Sequence, residues 1–184
     1  MVNSGESYRL FLEGDERGLV QIIQANRDGL MLYLNGYVCD LAVAEELAED
    51  TFLKLVLKKP RFSARSSFKT WLYAIGRNLA LDYLKRKRKK DLSLDDCLEV
   101  ADESASLEAA YIHQEDKIQI HRLMKKMKPE YRQVLWLVYF EGFTCREAGK
   151  IMGKSPHNTE TLIYRARQAL KSKLIEEGYH YEKL

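Results

Sequence analysis

Two histidines with carboxylates between them are the residues of this 184-residue chain whose types could bind a metal or catalyse a reaction. His113 and His121 lie on either side of Glu115 and Asp116. Their eight-residue spacing skips the i, i+4 geometry with which two histidines of one helix bind zinc. The pattern therefore disfavours a metal-dependent enzyme, and we expect no metal, cofactor or catalytic residue.

The three cysteines do not form a functional group of their own. Cys39, Cys97 and Cys145 lie far apart, without the paired spacing of a zinc site or the even count of a secreted disulfide framework. The amino terminus lacks the pattern of a signal peptide, and the longest apolar run, Val134 to Phe140, is far shorter than a membrane span. These features predict reduced thiols in a soluble, cytoplasmic protein.

The stretch from Phe62 to Lys90 combines a small polar loop, an aromatic-rich run and six consecutive cations, Lys85 to Lys90. Such a composition is not typical of an enzyme active site. Lysine and arginine side chains can neutralise nucleic-acid phosphates, although a basic run can also be a solubilising tail or a localisation signal. Its position at the end of a helix, before an acidic segment, favours nucleic-acid binding.

Charge is segregated along the chain. Between Asp91 and Asp116 there are nine acidic residues and no Lys or Arg, so the rest of a chain with net charge +3 carries +12. The acidic segment has little hydrophobic mass, which is typical of a linker. We expect domains at 1–90 and 115–184, joined by an acidic flexible linker at 91–114. Its carboxylates either form a solvated connector or compete with nucleic acid for the basic surfaces.

Helical periodicity and a low proline count predict an all-α fold of two small helical domains. In the first domain we expect one helix from Gly14 and Asp15 to about Ala25, and another from about Arg27 to Tyr37. A third covers AVAEELAEDTFLKLVLK and ends at Lys59 and Pro60.

The fourth helix begins near Ser67 or Phe68 and continues into the basic run. Its predicted core stripe consists of Phe68, Leu72, Ile75 and Leu79. Trp71 is expected to pack as well, whereas Tyr73 and Arg77 are expected to be exposed.

Start and stop signals in the second domain predict a helix-turn-helix. One helix begins near Glu115 and another at Pro129, with Gly142 as its end. Two further helices are joined by a short turn containing glycine, which is the helix-turn-helix pattern. Their signals are a capping box at Thr144 and Glu147, a stop at Gly153 and a start at Ser155 with Pro156.

The last helix places a core stripe opposite a polar face. Thr159, Ile163, Ala166 and Leu170 recur at helical spacing and face the core. The opposite face carries hydrogen-bonding side chains near the amino end, where a recognition helix meets base edges in the major groove. A solvated surface helix would look similar, but the capping signals and the glycine turn favour DNA reading. The predicted contacts are Ser155, His157, Asn158, Glu160, Thr161, Tyr164, Arg165 and Arg167.

Three segments in this order resemble the extracytoplasmic-function (ECF) class of bacterial sigma factors. They are AEELAEDTF at Ala44–Phe52, FKTWLYAIGRNLALDYLKR, and GFTCREAGKIMGKSPHNTETLIYRARQAL. The resemblance covers about residues 10–175 and implies sigma regions 2 and 4. It implies a protein that binds the largest-subunit clamp and the flap of core RNA polymerase and directs it to promoters. In the family, the first domain captures the unpaired non-template strand of the minus-ten element and the second reads the duplex minus-thirty-five element.

The resemblance also implies which residues carry these functions. The family's base-capture loop corresponds to Phe62–Ser67, and Asn78 corresponds to the Asn of its promoter-reading helix. The implied minus-ten contacts are Phe62, Ser63, Ala64, Arg65, Ser66, Ser67, Lys69, Tyr73, Arg77, Asn78, Lys85, Arg86 and Arg88. The implied polymerase-binding residues are Glu45, Glu46, Leu47, Glu49, Asp50 and Phe52.

Energetics indicate that such a protein does not open DNA alone. Opening about ten base pairs costs roughly 14 kcal/mol, at about 1.4 kcal/mol per stacked step. Each captured base returns about 1–3 kcal/mol. Two or three captured bases are therefore insufficient, and a larger assembly has to supply the rest, as a polymerase partner would.

Four positions depart from the family pattern. Glu49 stands where Gln is usual, Lys154 replaces an apolar turn residue, and Gly149 replaces Ala in the helix before the turn. Glu160 stands where Lys is frequent, and its carboxylate can accept a hydrogen bond from cytosine N4 rather than bind a phosphate. We therefore expect an altered promoter preference.

The alternative is an autonomous helix-turn-helix regulator that binds operators as a symmetric dimer. That hypothesis gives AEELAEDTF and the basic-ended helix no purpose. The sequence does not decide the regulon, the inducing signal or whether an anti-sigma factor binds the chain.

Overall fold

A computed structural model of the chain describes residues 4–63, 66–90 and 115–178. Every regular element within these ranges is helical, which confirms the all-α prediction. The described residues fall into two compact units, one ending at residue 90 and the other beginning at 115. The acidic linker predicted at 91–114 lies outside the described residues, and the domain boundaries stay predictions.

Within the described ranges, none of the helices has the length and apolar character that a bilayer span requires. The same ranges contain no group of three or more His, Cys, Asp or Glu arranged to hold a metal ion.

The first unit consists of helices α1 (Ser4–Leu12), α2 (Glu16–Val38), α3 (Leu41–Lys58) and α4 (Phe68–Lys90). Asp15 and Asp40 cap the amino ends of α2 and α3 by accepting backbone hydrogen bonds from Arg17 and Val43. Helix α3 ends at Lys59, before Pro60, as predicted, and Lys59 itself adopts the left-handed region with φ 39°.

Helix α2 is continuous, so the predicted break between Ala25 and Arg27 is wrong. Between the two predicted helices lies Asn26, a residue type whose side chain often competes with the helical backbone. Here its Nδ2 donates to the Ile22 carbonyl oxygen at 2.8 Å, one turn back on the same helix. Asn26 is therefore buried without interrupting α2. Helix α1 was not predicted at all.

The buried face of α4 differs in part from the predicted stripe. Phe68 and Leu72 are buried as expected, whereas Ile75 and Leu79 are only half-buried. Tyr73, which was expected to be exposed, has no exposed surface, and its ring lies 5.5 Å from that of Tyr33 on α2. The prediction for Tyr73 is wrong because α4 contacts both α2 and α3, and this broadens its buried face.

The second unit consists of α5 (Glu115–Lys125), α6 (Pro129–Leu135), a π-helical turn (Trp136–Phe140), α7 (Cys145–Met152) and α8 (Pro156–Glu176). The predicted start at Pro129 is confirmed, whereas the residues before Glu115 lie outside the described ranges, so the start near Glu115 stays a prediction. In the π-turn the Glu141 amide donates to the Trp136 carbonyl oxygen at 3.1 Å, five residues back. The sequence did not predict this change of helix type.

The helix-turn-helix signals are confirmed. Thr144 accepts from the Glu147 amide at 3.2 Å while the Glu147 carboxylate accepts from the Thr144 amide at 3.0 Å, which completes the capping box. Gly153 ends α7 with φ 64°, and Ser155 caps α8 through the Asn158 amide. The predicted core stripe of α8 is buried at all four positions: Thr159, Ile163, Ala166 and Leu170.

Candidate nucleic-acid interface

The loop before α4 is anchored at both of its ends. Ser67 Oγ accepts from the Thr70 amide at 3.2 Å and lies 2.7 Å from Thr70 Oγ1, so it caps α4. At the other end, the Phe62 ring packs 5.4 Å from the rings of both Phe68 and Trp71. Phe62 is therefore a packing residue that fixes the course of the loop.

Between these anchors the described loop residues are small and accessible. Ser63 is exposed and Ser66 is half-buried, while Ala64 and Arg65 lie outside the described residues. Asn78 is exposed on α4. Its amide can both donate and accept, which suits it to reading a base edge.

The cationic side chains of α4 differ in how much of their surface is exposed. Lys69 Nζ lies 5.5 Å from the centre of the Tyr73 ring, so buried Tyr73 supports a cation instead of meeting DNA itself. Arg77 is half-buried. The side chains from Lys85 to Lys89 are exposed and form a cationic end beyond the packed part of α4.

Arg77 of α4 lies close to a buried tyrosine pair of α2. The Tyr33 and Tyr37 hydroxyl oxygens are 2.9 Å apart. Burial raises the pKa of Tyr33 well above its usual value, and the hydrogen bond with Tyr37 adds to this, although the Arg77 charge acts in the opposite direction. Tyr33 therefore stays neutral.

A groove of about 620 Å³ lies between α2 and α3 in the same unit. Its rim carries the exposed carboxylates of Glu46, Glu49 and Asp50. The sequence analysis did not predict the remaining wall of the groove, to which both helices contribute. In the structure, Leu53 of this wall is an exposed large apolar side chain. The residues that line the groove and were not predicted are Ile23, Arg27, Leu53 and Val56.

The other predicted polymerase-binding residues have different surroundings. Glu45 is half-buried and forms an ion pair with Arg27 of α2. Leu47 is 4% exposed, so its burial makes it a packing residue of α3 and contradicts its assignment as a surface contact. Phe52 is nearly as buried but lines the floor of the groove.

In the second unit, α8 presents the predicted face near its amino end. Of the eight predicted contacts, Thr161 is half-buried and the others are exposed. Ser155 Oγ is engaged in capping α8. Arg167 lies over the Tyr139 ring of the π-turn, with 5.5 Å from the guanidinium carbon to the ring centre. Tyr139, which the sequence did not single out, therefore orients a cation of the recognition helix.

Comparison with known proteins connects these two surfaces to one family. Residues 22–90 match the model of Sigma-70 region 2, and residues 117–170 match that of Sigma-70 region 4. Together the matches span well over half of the chain and include α4, the groove and the helix-turn-helix. The chain belongs to the sigma-70 family. The autonomous-regulator alternative does not account for the region 2 match.

Curated relatives place this sigma factor in the ECF class. The chain is 28% identical over 162 residues to the ECF RNA polymerase sigma factor SigM of Bacillus subtilis, covering 88% of this chain and 98% of the relative. It is 26% identical over 172 residues to SigW of the same organism, covering 88% and 91%. Like these relatives it carries both regions, and it is a sigma factor of ECF type.

Solved structures agree on the fold. The sigma factor RpoE of Bartonella quintana, in complex with the anti-sigma factor NepR, has a TM-score of 0.65 and 20% identity, and the match covers 84% of this chain and 95% of that one. CnrH, in complex with the cytosolic domain of CnrY, has a TM-score of 0.63 and 21% identity, with 96% of both chains covered.

Two of the family departures in region 4 have local explanations in the sigma factor. Lys154, in the turn, places Nζ 3.3 Å from Glu130 Oε1 at the start of α6, so an ion pair replaces an apolar contact. Gly149 of α7 faces α8 at very short range. A Cβ at position 149 would lie 2.7 Å from Thr159 Oγ1 and 3.3 Å from the Lys154 carbonyl oxygen.

Glu160 contributes to the electrostatics at the interface of α7 with the recognition helix. Burial raises the pKa of the Cys145 thiol, and the negative charge of Glu160 raises it further, whereas the positive charge of Arg167 lowers it. The pKa of Cys145, at the first position of α7, therefore depends on both charges.

The close approach at Gly149 predicts a coupled pair of substitutions. Gly149→Ala should destabilise region 4 because Cβ meets the Thr159 hydroxyl, and Thr159→Ala should leave a small cavity. The double variant should lose less stability than the sum of the single losses, with a coupling of about 0.5–3 kcal/mol in chemical denaturation. Gly149→Ala combined with Ser172→Ala, an exposed site on α8, should be additive. Additivity of Gly149→Ala with Thr159→Ala as well would contradict the contact.

Alkylation of Cys145 should report the charges around it. Glu160→Gln removes an anion and should lower the pKa of Cys145, so that alkylation by iodoacetamide becomes faster below that pKa. Arg167→Gln removes a cation and should raise the pKa and slow the reaction. The rate is measured against pH by mass spectrometry of the Cys145 peptide. Changes of the same sign in the two variants would refute this arrangement of charges.

Proposed function

We propose that this ECF sigma factor guides core RNA polymerase to promoters through three separate surfaces. The loop at 62–67 and Asn78 hold an unpaired base of the minus-ten strand, α8 reads the duplex minus-thirty-five element, and the α2–α3 groove binds the polymerase clamp. The observation that carries this proposal is that the region 2 and region 4 matches include these same surfaces.

Base capture is supported by the arrangement around α4. An extruded base requires a pocket of small side chains, a hydrogen-bonding group for its edge and cations for the neighbouring phosphates. The loop supplies accessible Ser63 between fixed anchors, Asn78 supplies the hydrogen-bonding amide, and the exposed cations from Lys85 supply the phosphate contacts. Tyr73 has no place among these contacts because it is buried.

Clamp binding is supported by the chemistry of the groove. Three exposed carboxylates beside exposed Leu53 suit a basic, amphipathic helical partner, whose cations would meet the acidic rim while its apolar side chains fill the groove. Leu47 and Phe52 act from beneath by fixing α3. Glu49, which departs from the family pattern, lies on the rim and adds to its negative charge.

Duplex reading is supported by the exposed amino-terminal half of α8. His157 and Asn158 lie in its first turn, where a recognition helix approaches base edges. Glu160 can accept from cytosine N4, and Arg165 and Arg167 are cations for bases or phosphates.

The wider setting follows from the polymerase partner. We place the chain in the bacterial cytoplasm, where core RNA polymerase works, and we assign it no catalytic step of its own. RpoE of Bartonella quintana was solved with an anti-sigma factor. By analogy we include an anti-sigma factor among the partners of this chain.

Matched asparagine substitutions should separate the two DNA-binding activities. With core polymerase and a mapped promoter, Asn78→Ala should reduce permanganate reactivity of minus-ten thymines while duplex minus-thirty-five binding is retained. Asn158→Ala should weaken duplex binding by about 1–3 kcal/mol, yet leave binding to pre-opened DNA unchanged. The chain without polymerase should give no reactive thymines, because base capture returns too little free energy. Reactive thymines with the chain alone would refute the proposal.

Charge reversal in the groove should weaken the polymerase complex. Glu46→Lys and Asp50→Lys should each lower the affinity for core polymerase, because the exposed acidic rim then repels a basic partner. The loss should be larger at low salt. Affinity is measured by fluorescence anisotropy of labelled sigma factor. Glu16→Lys, an exposed acid at the start of α2 that does not line the groove, is the control. Equal losses for the control and the groove variants would contradict the assignment.

A further inference from the structure

Helix α1 lies outside the region 2 match, which begins at residue 22, yet it contacts the loop before α4. The Tyr8 hydroxyl donates to the Pro60 carbonyl oxygen at 2.8 Å. Tyr8 is 1% exposed, and Pro60 precedes Phe62 by two residues. A side chain of α1 therefore holds the backbone at the point where the loop leaves α3.

The Tyr8 ring belongs to the aromatic cluster against which Phe62 packs. Its centre lies 5.2 Å from that of Phe68 and 5.6 Å from that of Trp71. These are the same two rings against which Phe62 packs. The aromatic pairs are tilted or edge-to-face, which are favourable geometries. Tyr8 thus supports the loop twice, through the Pro60 carbonyl and through the rings beneath Phe62.

Close packing against α2 fixes the position of α1. A Cβ at Gly18 of α2 would overlap the Ser7 carbonyl oxygen and would lie 2.8 Å from the Phe11 amide nitrogen, so the two helices meet at backbone distance. Ser7 Oγ also donates to Gln21 Oε1 at 2.8 Å. A nine-residue helix is marginal by itself. The packing of α1 against α2 therefore stabilises α1 and holds Tyr8 in position beside Pro60.

We propose that Tyr8 is a positioning residue for base capture and that α1 is a functional part of the minus-ten reader. This inference rests on the proposed function of the loop. The Tyr8 hydroxyl fixes the Pro60 carbonyl, and the Tyr8 ring fixes Phe62 through Phe68 and Trp71. Without these contacts Pro60 and Phe62 are held less firmly, and ordering them when a base binds costs more free energy.

The test uses holoenzyme and fork DNA with an unpaired non-template minus-ten segment from a promoter mapped with this holoenzyme. A second DNA carries an abasic site at one minus-ten position, and each position is tested in turn. The measured quantity is the ratio of the two affinities, which isolates recognition of the base. Wild-type holoenzyme should prefer the intact strand by at least about fivefold at one position or more, as a captured base worth about 1–3 kcal/mol requires.

Tyr8→Phe keeps the ring and removes the hydrogen bond. It should lower the base-dependent ratio by about two- to fivefold, toward one, as expected for one lost hydrogen bond. Affinity for core polymerase and duplex minus-thirty-five binding should stay unchanged, and the unfolding midpoint should fall no further than in the control variant. Gly18→Ala, which displaces α1 from α2, should lower the ratio in the same way. The matched control is Asn26→Leu, which removes a buried side-chain hydrogen bond of the same unit, the bond to the Ile22 carbonyl oxygen within α2.

Each contrary outcome is distinct. A full ratio in Tyr8→Phe would overturn the positioning role while leaving base capture intact. A lowered ratio accompanied by an equal fold-loss in polymerase affinity, or by an unfolding midpoint below that of the control variant, would mean that Tyr8 is merely structural. An equal loss of the ratio in Asn26→Leu would mean the same. If the wild type showed no preference for the intact strand at any position, base capture by the loop would itself be wrong, and this inference with it.

Discussion

The close contact of α4 with α2 and α3 is the constraint on which the first unit depends. At Gly76, a Cβ would lie 3.0 Å from Leu30 Cδ1 of α2 and 3.2 Å from Thr51 Oγ1 of α3. Three helices therefore meet at a point where a larger side chain would force its neighbours to shift. Because the groove is formed by α2 and α3, and the cationic end belongs to α4, this contact fixes the proposed clamp-binding and minus-ten surfaces relative to each other.

The two units use different kinds of rigidity for their two kinds of DNA. In the proposed function region 4 reads an intact duplex, for which a helix held at a fixed angle is sufficient, and the Gly149–Thr159 contact with the two capped helix ends sets that angle. In the same proposal region 2 holds a base that has left its stack, and Ser67 and Phe62 support the two ends of the loop that would hold it.

Features set by neighbouring residues could be predicted from the sequence, and features set by distant contacts could not. The capping box at Thr144, the left-handed Gly153 and the Ser155 cap each depend on residues within one turn, and all were predicted correctly. The break at Asn26 was wrong because the same Asn side chain can bond within the helix, and spacing alone does not distinguish the two conformations. Tyr73 was misplaced because a helix packed on two neighbours buries more than one stripe. Part of the groove was missed because Ile23 and Val56 approach only after α2 folds against α3.

Conformational entropy explains why a loop that captures a base needs so many supports. Ordering one residue costs about 1–2 kcal/mol of backbone entropy, and one captured base returns about 1–3 kcal/mol. If the six residues from Phe62 to Ser67 were ordered only on binding, that cost would exceed what two captured bases return. Packing Phe62 among aromatic rings and capping α4 with Ser67 transfers part of this cost to folding, where burial of large side chains offsets it. A smaller part of the cost is then left for the step in which the base binds. The free energy of capture remains available to stabilise the open promoter that the polymerase produces.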